Sequence, residues 1–216
     1  MEKLKLLLDG LYVHYGETGW WPAKTADEIL IGAILTQNTS WRNVEKALEN
    51  LRASGNLSLR SISSMDVAEL ASLIRPSGFY NQKARRLVDI SRAIIERYGG
   101  IQGMKGRPIG ELSGFLKDLK GIGQETLDSI LNYVLDWPVF VVDKYTLRIV
   151  ERFGITHGGP EHLKKMVQNL LSNDVDRIKN AHGMLVYLGK DHCRTEPLCD
   201  SCPVRKDCSF YLRKNS

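Results

Sequence analysis

Helical periodicity runs through nearly all of this 216-residue sequence and leaves little room for any other structure. Apolar residues recur at three- and four-residue spacing, beginning with Leu4, Leu7, Leu8 and Leu11. That spacing places side chains on one face of an α-helix. The only strand-like run covers residues 139–142, and it has no partner run with which to form a sheet. The sequence therefore predicts an all-α fold in which residues 139–142 are a buried connector.

Local signals for helix ends divide the chain further. Residues 25–28, Thr-Ala-Asp-Glu, have the form of a capping box, and Ser40 is an expected N-cap. The glycine pair at 99–100 should end a long helix. Beyond the N-terminal helix and the one starting near Thr25, the predicted helices span residues 41–51, 66–74, 80–98, 109–116, 124–135, 143–153, 161–171 and 175–188.

Composition narrows the class of protein. The formal net charge is +5 and the pI is about 9.0, a balance that favours polyanionic partners such as nucleic acid. No apolar run approaches the length of a membrane span, and the first residues lack the apolar stretch of a signal peptide. These observations predict a cytoplasmic protein that does not bind a membrane. We also expect the protein to be a monomer.

All four cysteines lie within the last 24 residues, in the pattern Cys-x5-Cys-x2-Cys-x5-Cys. Clustered thiols in a reducing compartment favour a metal site over disulfides. An iron–sulfur cluster and a four-thiolate zinc site use the same ligands. Zinc sites more often show two Cys-x2-Cys pairs, and this chain has one. The predicted ligands are Cys193, Cys199, Cys202 and Cys208.

A glycine turn and a following aspartate suggest a functional site. Residues 119–123, Leu-Lys-Gly-Ile-Gly, separate two predicted helices, and their amides could bind a phosphate or could merely allow a tight turn. Asp143 follows the buried connector and precedes an amphipathic helix, so it is a natural N-cap. A carboxylate at that position is also held ionised and oriented, as an electrostatic catalyst must be.

Taken together, these motifs resemble the endonuclease III superfamily of DNA glycosylases. The resemblance rests on the hairpin at 119–123, the Val-Asp ending at Asp143, the cysteine loop, and the segments 35–39 (Leu-Thr-Gln-Asn-Thr) and 77–84 (Ser-Gly-Phe-Tyr-Asn-Gln-Lys-Ala), all in the family's order. It implies a [4Fe-4S] cluster on the cysteine loop, although the first gap between cysteines is one residue shorter than in the family. It also implies double-stranded DNA with a damaged base as the partner.

The resemblance assigns roles residue by residue. Asp143 takes the place of the catalytic aspartate, which stabilises positive charge on the deoxyribose and orients water. Gln37 corresponds to the residue that fills the gap left by the extruded base, and Phe79 to a wedge near the orphan base. The other implied DNA contacts are Asn38, Lys120, Gly121 and Gly123.

Glu125 stands where bifunctional members of the superfamily carry a nucleophilic lysine. A carboxylate cannot form a Schiff base, so the resemblance predicts hydrolysis by water without a lyase step.

Tryptophans near the N-terminus bear on the choice of base. Trp20, Trp21 and Trp41 are either ordinary core residues or a stack for a flipped, cationic base. The motifs Trp-Trp-Pro, Leu-Thr-Gln-Asn-Thr and Lys-Gly-Ile-Gly-x-Glu resemble the 3-methyladenine glycosylases of the superfamily. That resemblance implies a base pocket formed by Trp20, Trp21, Pro22, Trp41 and Glu125.

The expected architecture has two helical lobes with a DNA-binding cleft between them. Residues 25–137 would form a six-helix barrel with the helix–hairpin–helix, and residues 1–24 and 138–216 an iron–sulfur lobe. The expected function is monofunctional release of alkylated purines of the 3-methyladenine or 7-methylguanine type. Open alternatives are a mismatch uracil or thymine glycosylase, an endonuclease III-like glycosylase with AP-lyase activity, and a non-catalytic DNA-binding protein.

Overall fold

The protein is described here by a computed structural model that covers residues 1–214. Within that range it contains helices, turns and loops and no strand, which confirms the all-α prediction. The chain divides into two compact units. The terminal unit comprises Met1–Trp21 and the chain from Pro138 onward, and the central unit comprises Pro22–Trp137. No helix in the described range is long and apolar enough to span a bilayer.

Up to residue 214, the terminal unit contains five α-helices and two short 3-10 turns. The helices are α1 (Glu2–Tyr15), α10 (Lys144–Phe153), α11 (Pro160–Leu170), α12 (Val175–Asp191) and α13 (Ser209–Lys214), with 3-10 turns at Cys199–Ser201 and Arg205–Asp207.

The central unit contains the remaining eight α-helices. They are α2 (Ala26–Leu35), α3 (Trp41–Ala53), α4 (Leu59–Ser64), α5 (Val67–Leu73), α6 (Tyr80–Tyr98), α7 (Ile101–Met104), α8 (Ile109–Asp118) and α9 (Gln124–Ser129). A 3-10 turn at Arg75–Ser77 precedes α6, and α9 continues as a π-helical turn over Ile130–Val134.

The helix ends follow the capping residues closely. Thr25 accepts a hydrogen bond from the Glu28 amide at 3.1 Å, as in a capping box, but the Glu28 carboxylate accepts from the Lys24 amide instead of returning to Thr25. Ser40 precedes α3 without a side-chain cap bond. The glycine Gly99 ends α6 in the left-handed conformation. The helices α4, α7 and α13 are too short for their periodicity to be recognised in the sequence.

The core of the terminal unit is built around the predicted leucine stripe. All four leucines of that stripe on α1 are at most 5% exposed and belong to a cluster with residues of α10, α11 and α12. Phe140 is fully buried in the same cluster, and Val141 is 2% exposed. Residues 139–142 form no strand, and the prediction of a buried connector is confirmed for Phe140 and Val141, whereas Val139 and Val142 are half-buried.

Replacement of Phe140 by alanine should lower the free energy of unfolding by about 3–5 kcal/mol, because it leaves a cavity in this core. Val13→Ala is the control: Val13 lies in the same unit at 88% exposure, and its loss should change stability by less than ~0.5 kcal/mol. Chemical denaturation followed by circular dichroism measures both. Equal effects of the two substitutions would contradict this account of the core.

Candidate active site and nucleic-acid interface

Asp143 is the N-cap of α10 and is buried, at 9% exposure. Its Oδ1 accepts a hydrogen bond from the Thr146 amide at 2.7 Å. The four leading amides of a helix lack intrahelical acceptors, and the helix dipole is positive at this end. Residue 143 is the junction between the buried connector and α10, and an aspartate at this N-cap position accepts a hydrogen bond from one of the free amides.

A second residue controls the charge of this carboxylate. His182 on α12 is 4% exposed, and its Nε2 lies 3.8 Å from Asp143 Oδ2. Burial alone would raise the pKa of Asp143, but the nearby imidazole of His182 and the amide of Thr146 outweigh it and hold that pKa below its usual range. Asp143 is therefore a buried anion at neutral pH. Such a group interacts strongly with positive charge because little water screens it.

Trp20 lies in an aromatic cluster of the terminal unit. Its ring centroid is 5.8 Å from those of both Trp21 and Tyr187, and Lys190 Nζ lies 4.6 Å from it in a cation–π contact. Gly183 makes this packing possible, because a Cβ there would stand 2.5 Å from Trp20 Cβ. The cluster shows that a face of Trp20 can hold a cation.

The other predicted pocket residues belong to the central unit. Pro22 is exposed, and Trp41 is half-buried at the start of α3. The indole of Trp41 donates a hydrogen bond to Glu45 at 2.9 Å. Glu125 is exposed in the first turn of α9, where a negative charge suits the helix dipole.

The hairpin between α8 and α9 needs glycine at one of its two positions. Gly121 has φ +102°, and a Cβ there would also lie 2.5 Å from Cδ of Arg86 on α6. Gly123 has φ −84° and faces open space, so its backbone is accessible to a ligand. Lys120 is exposed beside the turn.

Gln37 is docked against this hairpin. Its amide nitrogen donates to the carbonyl of Gly121 at 2.9 Å and to the hydroxyl of Thr126 at 3.1 Å. Arg86 donates to the Gln37 side-chain oxygen at 3.5 Å. The next residue, Asn38, is exposed and has φ +55°.

Phe79 presents a bare aromatic ring, 68% exposed, at the N-cap position of α6. Its φ of +46° is in the left-handed region, which a bulky residue adopts only where the surroundings impose it. One turn into α6, Lys83 is 2% exposed and donates to the carbonyls of Leu35 and Ser77, each at 2.7 Å. Burial lowers the pKa of Lys83 to about 8.

The predicted site residues thus divide between the units. Asp143, Trp20, Trp21 and the four cysteines lie in the terminal unit, and Pro22, Gln37, Asn38, Trp41, Phe79, Lys120, Gly121, Gly123 and Glu125 lie in the central unit. Within the central unit, hydrogen bonds join Gln37 to the glycine hairpin.

The four cysteines form no disulfide and are all half-buried. Cys193, Cys202 and Cys208 pack against the core of the terminal unit. Burial raises the pKa of Cys202 to about 11, and the other three thiols, lying close by, add to that rise. In residues 1–214 no three His, Cys, Asp or Glu side chains converge as one metal ion would require. Four thiols that lie near one another are the donor set of a [4Fe-4S] cluster, which takes one thiolate at each iron.

The helix that begins at Asp143 also anchors this loop. Arg148 Nε donates to the carbonyl of Cys193 at 2.8 Å, and Arg152 donates to the carbonyl of Thr195 at 2.9 Å. Arg152 Nη1 also lies 3.5 Å from Cys193 Sγ. One helix therefore connects the candidate catalytic carboxylate to the first cysteine of the loop.

Two residues were not singled out from the sequence. Lys83 occupies a position on the apolar stripe of α6, four residues before the buried Leu87, and a lysine at such a position signals a buried polar contact. His182 had no comparable signal, because its partner Asp143 lies on another helix 39 residues earlier.

Comparison with known proteins bears on this arrangement. Residues 31–175 match the model of the HhH-GPD superfamily of base excision DNA repair proteins. A protein of Methanocaldococcus jannaschii, named as a candidate DNA repair glycosylase, is 41% identical over 208 residues, covering 94% of this chain and 93% of that protein. Endonuclease III of Thermotoga maritima is 33% identical over 188 residues, covering 86% and 84%. The crystal structure of H. pylori 3-methyladenine DNA glycosylase bound to 1,N6-ethenoadenine aligns with a TM-score of 0.73 and 32% identity, covering 88% of this chain and 95% of that one.

The lowered pKa of Lys83 predicts a pH dependence of stability. A lysine in the unfolded chain titrates near 10.5 and this one near 8, so between those values the unfolded chain binds more protons and stability rises with pH. The free energy of unfolding of the wild type, relative to Lys83→Met, should rise by about 3 kcal/mol from pH 8 to pH 10.5. Denaturation curves of both proteins at several pH values measure this difference. The contributions of the other titrating groups cancel, because both proteins contain them. Parallel pH profiles would show that Lys83 has an ordinary pKa.

Proposed function

The chain belongs to the HhH-GPD superfamily of base excision DNA repair proteins and is a DNA glycosylase, and we propose that it releases alkylated purines by hydrolysis without an attached lyase step. The bond between C1′ of the deoxyribose and the purine nitrogen breaks, and the base leaves with the bonding electron pair. Water adds to C1′ and loses a proton.

The observation that carries the proposal is the buried, ionised carboxylate of Asp143. As the glycosidic bond breaks, positive charge develops on the sugar ring. A preorganised anion stabilises that charge without having to reorient during the reaction. The same carboxylate accepts a hydrogen bond from, and so orients, the attacking water.

Glu125 supports attack by water over attack by an amine. It occupies the first turn of α9, the position at which bifunctional relatives would present a lysine. A carboxylate has no free amine with which to form a Schiff base. The neighbouring Lys120 lies on the other side of the turn and is exposed to solvent.

The aromatic residues favour a cationic base. Purines alkylated at N3 or N7 are positively charged and have a weakened glycosidic bond. The contact between Lys190 and Trp20 supports the idea that this indole stacks well against a cation. We propose that Trp20 stacks against the flipped base. Trp21, Pro22, Trp41 and Glu125 stay predicted pocket residues.

The central unit supplies the DNA contacts in this proposal. The open backbone at Gly123 and the exposed Lys120 suit a phosphate group. The exposed ring of Phe79 is suited to enter a base stack, and Gln37 and Asn38 to fill the place of the extruded base.

We assign a [4Fe-4S] cluster to Cys193, Cys199, Cys202 and Cys208. Hydrolysis needs no redox chemistry, so the group would act by fixing the shape of the loop. Arg148 and Arg152 already hold the main chain of that loop.

Asp143→Asn should reduce base release at least ~100-fold while leaving DNA binding intact, because asparagine keeps the N-cap bond but not the charge. The matched control is Asp174→Asn, the same change at the N-cap of α12, where the side chain accepts from the Arg177 amide at 3.0 Å. Single-turnover base release and binding to a lesion-containing duplex are measured for both. Full activity of Asp143→Asn would reject the catalytic role of this carboxylate. Absence of base release by the wild type, with DNA binding retained, would favour a non-catalytic DNA-binding protein.

The substrate is tested with duplexes that each carry one lesion: 3-methyladenine, 7-methylguanine, uracil or thymine opposite guanine, or an oxidised pyrimidine. Release of the methylated purines is expected, with strand cleavage only after alkali. Borohydride should trap no protein–DNA adduct. Preferential release of mismatched uracil or thymine would assign the alternative substrate, and a trapped adduct would show a lyase step.

The purified protein should be brown, with broad visible absorption and iron and sulfide in equal amounts. Cys202→Ser should lose iron and absorption together, because Cys202 is a proposed ligand and packs on the core. Ser201→Ala, a change at the adjacent exposed residue, is the control and should retain both. Zinc in place of iron in the wild type would refute the cluster assignment.

A further inference from the structure

We propose that Lys83 is a positioning residue that holds the Gln37 and Phe79 loops in place for insertion into DNA. The inference rests on the proposed function, because it takes the two loops to enter the duplex. Lys83 itself is buried and does not touch DNA in this proposal.

The geometry is nearly symmetrical about the lysine. Its ammonium donates to Leu35 and Ser77 carbonyl oxygens at 2.7 Å each. Leu35 precedes Gln37 by two residues, and Ser77 precedes Phe79 by two residues. The Lys83 side chain therefore connects the residues at which the two loops begin.

Each carbonyl has a reason to need this donor. Leu35 is the last residue of α2, and the final carbonyls of a helix lack intrahelical donors and carry the negative end of the helix dipole. Ser77 ends the 3-10 turn before α6. An apolar side chain at position 83 would fill the volume but would donate to neither carbonyl.

Both loops also contain strained backbone. Asn38 has φ +55° and Phe79 has φ +46°, and an exposed aromatic ring in the left-handed region is held there by its surroundings. The Lys83 amide donates to the carbonyl of Phe79 at 3.0 Å, so the main chain and the side chain of Lys83 both restrain the Phe79 loop, residues 77–79.

The restraint extends to the glycine hairpin. Gln37 donates to the carbonyl of Gly121, and Arg86, three residues after Lys83 on α6, packs against Gly121 and donates to Gln37. The helix α6 therefore supports all three segments proposed to contact DNA. Among them, Lys83 is the link between the Gln37 loop and the Phe79 loop.

Loss of the two hydrogen bonds from Lys83 to the Leu35 and Ser77 carbonyls should make both loops more mobile in the DNA-free protein. In Lys83→Met, amide hydrogen exchange should become faster in residues 36–39 and 77–79. The control is Ile94→Ala, which creates a cavity under the same helix about 16 Å from Lys83 along its axis. It should destabilise the unit without that local pattern.

DNA binding separates positioning from general stability. Two duplexes are compared, one undamaged and one with a tetrahydrofuran abasic analogue. Lys83→Met should weaken binding of the abasic duplex about 10-fold and leave the undamaged duplex unchanged, whereas Ile94→Ala should alter neither. The double variant Lys83→Met/Phe79→Ala should bind the abasic duplex as tightly as whichever single variant binds it less tightly. The two effects should not add, because both substitutions impair insertion of the same loop.

The possible failures are distinguishable. Unchanged exchange and unchanged abasic binding in Lys83→Met, with weakened binding in Gln37→Ala and Phe79→Ala, would overturn the role of Lys83 alone. Equal affinity of the wild type for both duplexes, unaffected by Gln37→Ala and Phe79→Ala, would overturn the proposed roles of the loops and the inference with them. If Lys83→Met does not fold, Lys83→Gln takes its place in every comparison; its amide nitrogen ends one bond short of the ammonium position, so both hydrogen bonds should lengthen and the same changes are expected.

Discussion

The ionised state of Asp143 depends on its contacts with His182 and with the first turn of α10. Burial would raise the pKa of this carboxyl group, and here the imidazole of His182 and the Thr146 amide reverse that tendency. One ionised carboxylate at position 143 therefore serves both the N-cap and the proposed catalytic role. Since α10 also carries Arg148 and Arg152, the contacts that hold the cysteine loop are fixed to the same rigid element.

In the central unit, exposed loops with left-handed backbone are kept ordered by buried contacts. Asn38, Phe79 and Gly121 all have positive φ. Loops of this kind open easily unless buried contacts restrain them. The restraint comes from α6, through Lys83 and Arg86, and from the docking of Gln37 on the hairpin. A buried lysine is costly, and two carbonyl partners offset part of that cost.

Sequence patterns predicted the structural features that depend on residues close together in the chain. The leucine stripe of α1, the Asp143 cap and the left-handed end of α6 at Gly99 each follow from a few neighbouring residues, and the structure confirms them. The π-helical turn at 130–134 and the contact of His182 with Asp143 depend on packing between distant segments, which no local pattern encodes. Lys83 lies between these cases, because its position on an apolar stripe was visible but its partners were not.

In the proposed reaction, the lack of an amine nucleophile and the nature of the base are linked by the energetics of the glycosidic bond. An attacking amine would add covalent assistance, whereas with Glu125 at that position the proposal leaves only the Asp143 anion and water to help the base depart. A neutral purine is then a poor leaving group, and an alkylated, cationic purine is a good one because departure neutralises it. The chemistry that remains to Asp143 therefore favours substrates whose damage has already weakened the glycosidic bond. The proposed stacking of the base on Trp20 favours the same substrates for an independent reason, because the face of an indole ring attracts positive charge.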